Sequence, residues 1–147
     1  MNGGMELYLH MPFCVRKCAY CDFLSFPTDQ ETQNLYTRRL REDIDAMGKK
    51  YGDIPVDTIF IGGGTPSVPD SALIVGIMEH VRKAFHVAEG AEISMEANPG
   101  TVTREKLTDY RRAGINRLSF GLQSANDREL KPVSYTHLRA HETAANL

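Results

Sequence analysis

The sequence predicts an α/β fold, because four strand-like segments alternate with three helical segments along the chain. The strand-like segments are short and rich in apolar and β-branched residues, and each is followed by a turn or loop. Each helical segment is long enough to carry the chain back across a sheet, so we expect parallel strands with right-handed connections. A (β/α) barrel and an open doubly wound sheet both fit this order, and periodicity alone does not separate them.

The four predicted strands differ in how they end. The first, "MELYLHM", alternates apolar and polar side chains and leads into a loop that contains prolines and cysteines. The second, "VDTIFI", is ended by three glycines, and the third, "EISMEA", is stopped by Asn98-Pro99-Gly100. The fourth is "NRLSFGL". The predicted strands are residues 5–11, 56–61, 92–97 and 116–122.

Three helices are predicted between these strands. Thr28 and Glu31 have the spacing of a capping box at the start of the first helix. The apolar face of that helix, at intervals of three and four residues, comprises Tyr36, Leu40, Ile44, Met47 and Tyr51. Residues 70–85 carry a second helical pattern, and Thr103 is predicted to cap a short third helix that ends near Gly114.

Charge and composition exclude several classes of protein. The net charge of the 147 residues is −2, and basic residues are scattered among acidic ones, which argues against a nucleic-acid partner. The longest apolar run, at residues 72–78, is too short to cross a membrane, and the start lacks the pattern of a secretory signal. Three cysteines without such a signal indicate a reducing compartment, so a cytoplasmic location is expected.

Unusual residues follow every predicted strand at its carboxyl end. A cysteine loop follows the first strand, "GGGTP" (residues 62–66) follows the second, "EANP" (residues 96–99) ends the third, and Gln123 follows the fourth. Because the carboxyl ends of parallel strands lie at one edge of a sheet, where ligands bind in α/β folds, the four features predict one shared site.

All three cysteines, Cys14, Cys18 and Cys21, lie in the loop "HMPFCVRKCAYCDF". Zinc with His10 as the fourth ligand is one interpretation, although structural zinc sites usually pair two ligand knuckles. A single nucleophilic cysteine is a second interpretation, but it leaves two thiols without a role. A 4Fe-4S cluster with three protein ligands uses all of them and leaves one iron open to an outside ligand. Arg16 and Lys17 favour the thiolate form that binds metal.

The spacing CxxxCxxC resembles the signature of radical SAM enzymes. The resemblance implies that S-adenosyl-L-methionine (SAM) binds the open iron through its amino and carboxylate groups, and that an electron from the cluster then cleaves the sulfonium. It also implies roles for residues elsewhere in the chain. The residues matched to cofactor contacts of that family are Tyr8, Tyr20, Gly63, Gly64, Thr65, Glu96 and Gln123. Taken singly, each has an ordinary alternative: a flexible glycine turn, a solvated acid at a strand end, or a packed tyrosine.

Within that superfamily, the stretch from Leu7 to about Leu130 resembles the oxygen-independent coproporphyrinogen III oxidase group. The short segment before Leu7, and Asp22-Phe23 in place of a further cysteine, resemble its heme-chaperone branch, HemW. The resemblance implies heme or a porphyrinogen as ligand, an electron donor, and an apo-hemoprotein as a further partner. The alternative is oxidative decarboxylation by an anaerobic coproporphyrinogen III oxidase, and a zinc-binding module is a third interpretation.

The last part of the chain departs from that family. Residues 1–131 are expected to be the N-terminal part of a radical SAM core, with the remaining βα units of the barrel absent. Lys131-Pro132 interrupts the helix that the family continues there, because proline clashes within a helix. Residues 132–147 resemble a translated sequencing-adapter tail, so His137 and His141 are read as incidental rather than as a metal pair.

Overall fold

A computed structural model describes residues 4–17 and 21–121. Four parallel strands form the main sheet in the order β1-β4-β5-β6, and three helices connect them. The strands are β1 (Met5–Met11), β2 (Phe13–Cys14), β3 (Phe26–Pro27), β4 (Val56–Gly63), β5 (Val87–Ala97) and β6 (Arg117–Phe120). The helices are α1 (Gln30–Tyr51), α2 (Ser71–Ala84) and α3 (Arg104–Arg112), and a 3₁₀ turn covers Pro99–Thr101. The predicted α/β class is confirmed.

The two faces of the main sheet differ in what covers them. One face carries the apolar side chains of the strands, which form a single core with α1, α2 and α3. This core includes Leu9, Met11, Ile59, Ile61, Ile93 and Met95 from the strands, Ile44, Ile74, Ile77, Met78 and Val81 from α1 and α2, and Tyr110 from α3. On the other face, Tyr8 is 58% exposed and Phe60 is 37% exposed.

The winding of the sheet decides between the two architectures that the sequence left open. The four strands of the main sheet lie side by side in the order in which they occur in the chain, without a reversal. All three helices contribute to the core on one face of this sheet. A doubly wound sheet reverses its strand order and carries helices on both faces. The observed arrangement is therefore that of consecutive βα units of a barrel, with an open inner face.

Several predicted boundaries shift in the structure. β4 continues to Gly63, and β5 begins at Val87 rather than at Glu92. β5 meets β4 at Val56↔Val87, and the register then shifts, in a stretch where Gly90 adopts a φ of +81°. At the predicted start of the last strand, the Asn116 backbone amide donates to the Ile93 carbonyl at 3.0 Å, and its side chain adds two bonds to β5, accepting from the Ile93 amide at 2.8 Å and donating to the Ala91 carbonyl at 2.9 Å.

Two further expectations are corrected. The segment with the prolines and cysteines was predicted as a loop, but its ends pair as β2 and β3, with Phe13 opposite Phe26. Met47 was placed on the buried face of α1, yet it is 51% exposed, whereas Ile44 is buried in the core. At this end of α1 the helix packs closely on α2 through Gly48, since a Cβ there would lie 2.5 Å from the Ala84 Cβ.

The cap of α1 is Asp29 rather than the predicted Thr28. The Asp29 carboxylate accepts from the Thr32 amide at 2.8 Å, and hydrogen bonds from the Thr32 side chain and, second, from the Thr32 amide lower the pKa of Asp29. The Thr28 hydroxyl oxygen is buried without a hydrogen-bond partner in the described part of the chain. Each helix needs such a side-chain acceptor because its first amides lack partners within the helix.

We expect Asp29→Ala to lower the melting temperature, and Thr28→Ala to leave it unchanged or raise it. The first substitution removes the acceptor of a helix amide, whereas the second removes an unsatisfied buried hydroxyl. Because the folded pKa of Asp29 is lowered, its contribution is present above the ordinary aspartate pKa and is lost as pH falls through the folded pKa. Thermal unfolding between neutral and acidic pH tests both statements, and equal effects of the two variants would contradict the assignment of the cap.

No helix within residues 4–17 and 21–121 combines the length and the apolar character needed to span a bilayer.

Candidate functional site at the carboxyl edge of the sheet

The cysteine loop and the glycine-rich segment lie against each other at the carboxyl edge of the sheet. The Gly64 amide donates to the Met11 carbonyl at 2.8 Å, and the Thr65 amide donates to the Phe13 carbonyl at 2.6 Å. These bonds continue the pairing of β1 with β4 beyond the end of the sheet. The predicted meeting of these two segments at one edge is therefore observed.

Two of the three cysteines fall within the described residues, and both are free and partly exposed. The Cys14 sulfur lies 3.8 Å from the Thr65 hydroxyl oxygen, and the Cys21 sulfur lies 4.0 Å from the Ser25 hydroxyl oxygen. A Cβ at Gly64 would lie 3.0 Å from the Ser25 Cβ and 3.1 Å from the Cys14 sulfur. The two sulfurs thus lie in one small region of the structure, which also contains Thr65, Gly64 and Ser25.

The glycine triplet is required by close packing. Gly63 adopts a φ of +117°, and a Cβ there would lie 2.6 Å from Cε1 of the His10 ring. A Cβ at Gly62 would lie 2.6 Å from the Phe60 ring and 2.9 Å from a carboxylate oxygen of Glu96. Only glycine permits these approaches, so the segment is a tightly packed connection and not a loose turn.

Glu96 is held by the glycine-rich segment rather than left in solvent. One of its carboxylate oxygens accepts from the Gly63 amide at 3.1 Å. Glu96 is partly buried near the end of β5, and the same face of the sheet carries Tyr8. Partial desolvation of the Tyr8 hydroxyl and, second, the negative charge of Glu96 raise the pKa of Tyr8, so this phenol stays protonated at neutral pH.

A histidine connects β1 to the far side of the cysteine loop. His10 Nε2 lies 2.9 Å from the Leu24 carbonyl oxygen, which can only accept, so Nε2 carries the proton. In the neutral ring, Nδ1 then accepts from the Tyr8 hydroxyl at 3.1 Å. The Tyr36 hydroxyl donates to the His10 carbonyl at 2.6 Å and ties α1 to the same point. His10 therefore positions the loop, whereas sequence analysis considered it only as a zinc ligand.

An exposed aromatic pair lies on the open face of the sheet below these groups. The Tyr8 and Phe60 rings are stacked, with centroids 6.1 Å apart and planes inclined by 15°. Stacked rings on a solvent-facing surface offer a flat apolar platform. Tyr8 was predicted as a cofactor contact, and Phe60 was not singled out because its apolar position in a strand resembles that of any core residue.

A ring of hydrogen bonds joins the loops after β4 and β5, and sequence analysis missed it. The Asn98 amide donates to the Ser67 hydroxyl oxygen at 3.0 Å, and the Thr101 hydroxyl donates to the Asn98 carbonyl at 2.8 Å. Since the Thr101 proton is used in that bond, Ser67 donates to Thr101 and closes the ring. The only available signal was a serine directly after "GGGTP" and a threonine directly after "NPG".

Lys106 holds the same loop from the side of α3. Its ammonium donates to the carbonyls of Ser67, Val68 and Pro69 at 2.7, 3.3 and 2.9 Å. Desolvation, the largest influence, lowers the pKa of Lys106. The glycine-rich segment and Glu96 are thereby fixed relative to each other before any ligand binds.

Ser67→Ala is expected to destabilise the fold by about 1–3 kcal/mol, because it leaves the partly buried backbone amide of Asn98 without its acceptor and removes the hydrogen bond from Ser67 to Thr101. Thr108→Ala is the matched control, since its hydroxyl is exposed and donates only to a carbonyl of its own helix at 2.9 Å. Urea denaturation of both variants measures the difference. Equal decreases in the free energy of unfolding for Ser67→Ala and Thr108→Ala would show that the ring of hydrogen bonds does not hold the two loops together.

Three of the predicted site residues, Cys18, Tyr20 and Gln123, lie outside the described residues. The same holds for the predicted division at residue 131 and for His137 and His141, which remain predictions. Within residues 4–17 and 21–121, no three histidine, cysteine or acidic side chains form a metal-binding group. Cys18 lies outside these residues, so the predicted set of three thiols remains a prediction.

Comparison with known proteins identifies relatives of this arrangement. The sequence profile of the Radical SAM superfamily matches residues 8–146. The heme chaperone HemW of Escherichia coli (strain K12) is 42% identical over 139 residues, which are 90% of this chain and 35% of that protein. The heme chaperone HemW of Haemophilus influenzae is 38% identical over 149 residues, covering 97% of this chain and 39% of that protein. The chain thus spans a little over a third of the length of these curated relatives.

A solved structure shares the fold. Coproporphyrinogen III oxidase (HemN) from Escherichia coli, a radical SAM enzyme, superposes with a TM-score of 0.81 at 32% identity. The match covers 85% of this chain and 29% of HemN. The sheet described above therefore corresponds to part of a radical SAM barrel, as predicted.

Proposed function

The chain belongs to the radical SAM superfamily, and from that premise we propose that Cys14, Cys18 and Cys21 hold a 4Fe-4S cluster. The superfamily in general carries this cluster together with SAM. The observation that supports the proposal is the contact of the cysteine loop with the glycine-rich segment, where the Cys14 sulfur meets Thr65 and Gly64. Free, partly exposed thiols are the soft ligands that iron–sulfur clusters require, and a reducing compartment preserves them.

The residues at the sheet edge suit a bound SAM molecule beside that cluster. Gly63, Gly64 and Thr65 present backbone to the site, and Tyr8, Tyr20, Glu96 and Gln123 are its proposed side-chain contacts. Glu96 already accepts from the Gly63 amide, so its carboxylate is oriented before an ammonium or hydroxyl group arrives. When bound, the cluster and SAM supply one-electron chemistry at the open iron.

For the whole protein, we propose a heme chaperone of the HemW type. The relatives that support this are named heme chaperones and align along most of this chain. The exposed Tyr8–Phe60 pair offers a flat apolar surface of the kind that suits a tetrapyrrole. An electron donor and a recipient apo-hemoprotein are the partners that this function requires.

A second candidate is oxidative decarboxylation of a porphyrinogen. It is favoured by the structural similarity to HemN, which is named a coproporphyrinogen III oxidase. Both candidates use the same cysteines and the same sheet edge, so the fold does not choose between them.

Anaerobic reconstitution with iron and sulfide tests the shared part of the proposal. We expect about four irons and four sulfides per chain, a brown protein, and an EPR signal after reduction that changes when SAM is added. Colourless protein that retains zinc would refute the cluster. Heme titration with transfer to an apo-hemoprotein supports the chaperone, whereas 5′-deoxyadenosine and decarboxylated porphyrinogen as products would support the oxidase.

A further inference from the structure

Each cysteine sulfur in the described part of the chain has a hydroxyl group beside it. The Thr65 hydroxyl lies 3.8 Å from the Cys14 sulfur, and the Ser25 hydroxyl lies 4.0 Å from the Cys21 sulfur. Thr65 is 51 residues away from Cys14 in sequence, so folding and not local sequence creates the first pair. Two separate segments therefore place one hydroxyl group beside each of two sulfurs.

The neighbours of Ser25 indicate which way its proton points. The Lys17 ammonium donates to the Ser25 oxygen at 3.5 Å and, at a shorter distance, to the Phe23 carbonyl oxygen. Because Lys17 donates to the Ser25 oxygen, the single proton of Ser25 is directed elsewhere. Its acceptors are the Cys21 sulfur and the Phe23 carbonyl, and the latter already receives the charged donor. A Cys21 thiolate is the stronger acceptor of the two.

The position of Thr65 is fixed by its backbone. Its amide donates to the Phe13 carbonyl at 2.6 Å, next to Cys14 in sequence. Gly64 packs against the Cys14 sulfur and Ser25, so the Thr65 and Ser25 hydroxyls both lie close to Gly64. Ser25 is buried in this contact, which protects its bond to Cys21 from water.

We propose that Thr65 and Ser25 donate hydrogen bonds to the Cys14 and Cys21 thiolates and thereby raise the reduction potential of the cluster. The proposal rests on the proposed function, in which these cysteines hold that cluster. A hydroxyl that donates to a ligating sulfur offsets part of its negative charge. The reduced cluster carries one more negative charge than the oxidised cluster, so the bond stabilises the reduced form more.

EPR-monitored redox titration of the reconstituted chain tests the proposal. Thr65→Val and Ser25→Ala are each expected to shift the midpoint potential to a more negative value. The double variant is expected to shift it by about the sum of the two, because the hydroxyls act on different sulfurs. Thr65→Ser keeps the hydroxyl and is expected to retain the wild-type potential. Thr108→Val, which removes a hydroxyl from the exposed side of α3, is the control for substitution as such.

Unchanged potentials in Thr65→Val and Ser25→Ala, with the cluster assembled, would overturn the inference and leave the proposed function intact. Failure of the unsubstituted chain to assemble any cluster would instead overturn the proposed function and this inference with it. Resonance Raman spectra of the wild-type chain and of Thr65→Val, each recorded in H₂O and in D₂O, give a second test that does not depend on the potential. The Fe–S(Cys) stretching bands are expected to shift on deuteration, by more than in Thr65→Val; bands equally insensitive in both proteins would contradict the bond to Cys14.

Discussion

Replacement of Cys14, Cys18 or Cys21 by alanine, one at a time, is expected to abolish cluster assembly. A cube of four irons held by three thiolates has no spare protein ligand, so the loss of one leaves two irons open. The chain offers no substitute thiolate, because it has only these three cysteines. We expect the visible absorbance and the bound iron of each variant to fall to the level of protein that was never reconstituted.

Val15→Ala is the matched control for the cysteine variants. Val15 lies in the same loop, next to Cys14, and its side chain is 67% exposed, so its loss removes little packing. This variant is expected to assemble the cluster as the wild-type chain does. A cluster retained in any one cysteine variant would contradict the assignment of three ligands. Loss of the cluster in Val15→Ala would show that the loop is sensitive to any change.

The fold was predictable from the sequence to the extent that burial follows periodicity. Alternation in β1 placed Leu9 and Met11 on the face that the helices cover, and Tyr8 on the open face. Helical spacing likewise placed Ile44 against the core. Periodicity alone could not predict the barrel-type winding, because the winding depends on which face of the sheet each connecting helix covers, and each local pattern is compatible with both. The resemblance of the sequence to radical SAM enzymes predicted the barrel.

The sequence could predict which strand ends meet at the site, but not which atoms form hydrogen bonds there. Parallel topology alone brings the segments after β1, β4 and β5 to one edge, so the meeting of Cys14 with Thr65 followed from the order of elements. The ring formed by Ser67, Asn98 and Thr101 was missed because serine, asparagine and threonine are also ordinary turn residues. Their role appears only when two loops are packed together.

The cap of α1 shows that the spacing of a motif does not by itself fix the capping residue. Thr28 and Asp29 are neighbours, and both residue types are good caps. The structure uses the carboxylate of Asp29 on the Thr32 amide, while the Thr28 hydroxyl is turned into the protein. The capping-box spacing thus located the start of the helix correctly but indicated the wrong capping residue, because the direction of the backbone at the start of a helix depends on the residues before it.

Gly63→Ala is expected to destabilise the protein by about 2–6 kcal/mol. Part of this loss comes from a φ of +117°, which side-chain-bearing residues rarely adopt, and which costs about 1–3 kcal/mol. The rest comes from the new Cβ, which would lie 2.6 Å from the His10 ring and force about another 1–3 kcal/mol of repacking. Because His10 holds the Leu24 carbonyl, the displacement is also expected to loosen the cysteine loop.

Gly90→Ala separates these two contributions. Gly90 also has a positive φ, +81°, but a Cβ there meets no atom within 4 Å. This variant is therefore expected to lose only the conformational part, about 1–3 kcal/mol, and to keep the cluster of the wild-type chain. Urea denaturation gives the free energy of unfolding of both variants, and iron analysis after reconstitution reports on the loop. Equal losses of stability in the two variants would show that the His10 ring moves away freely, and that the packing of the glycine triplet does not fix the site.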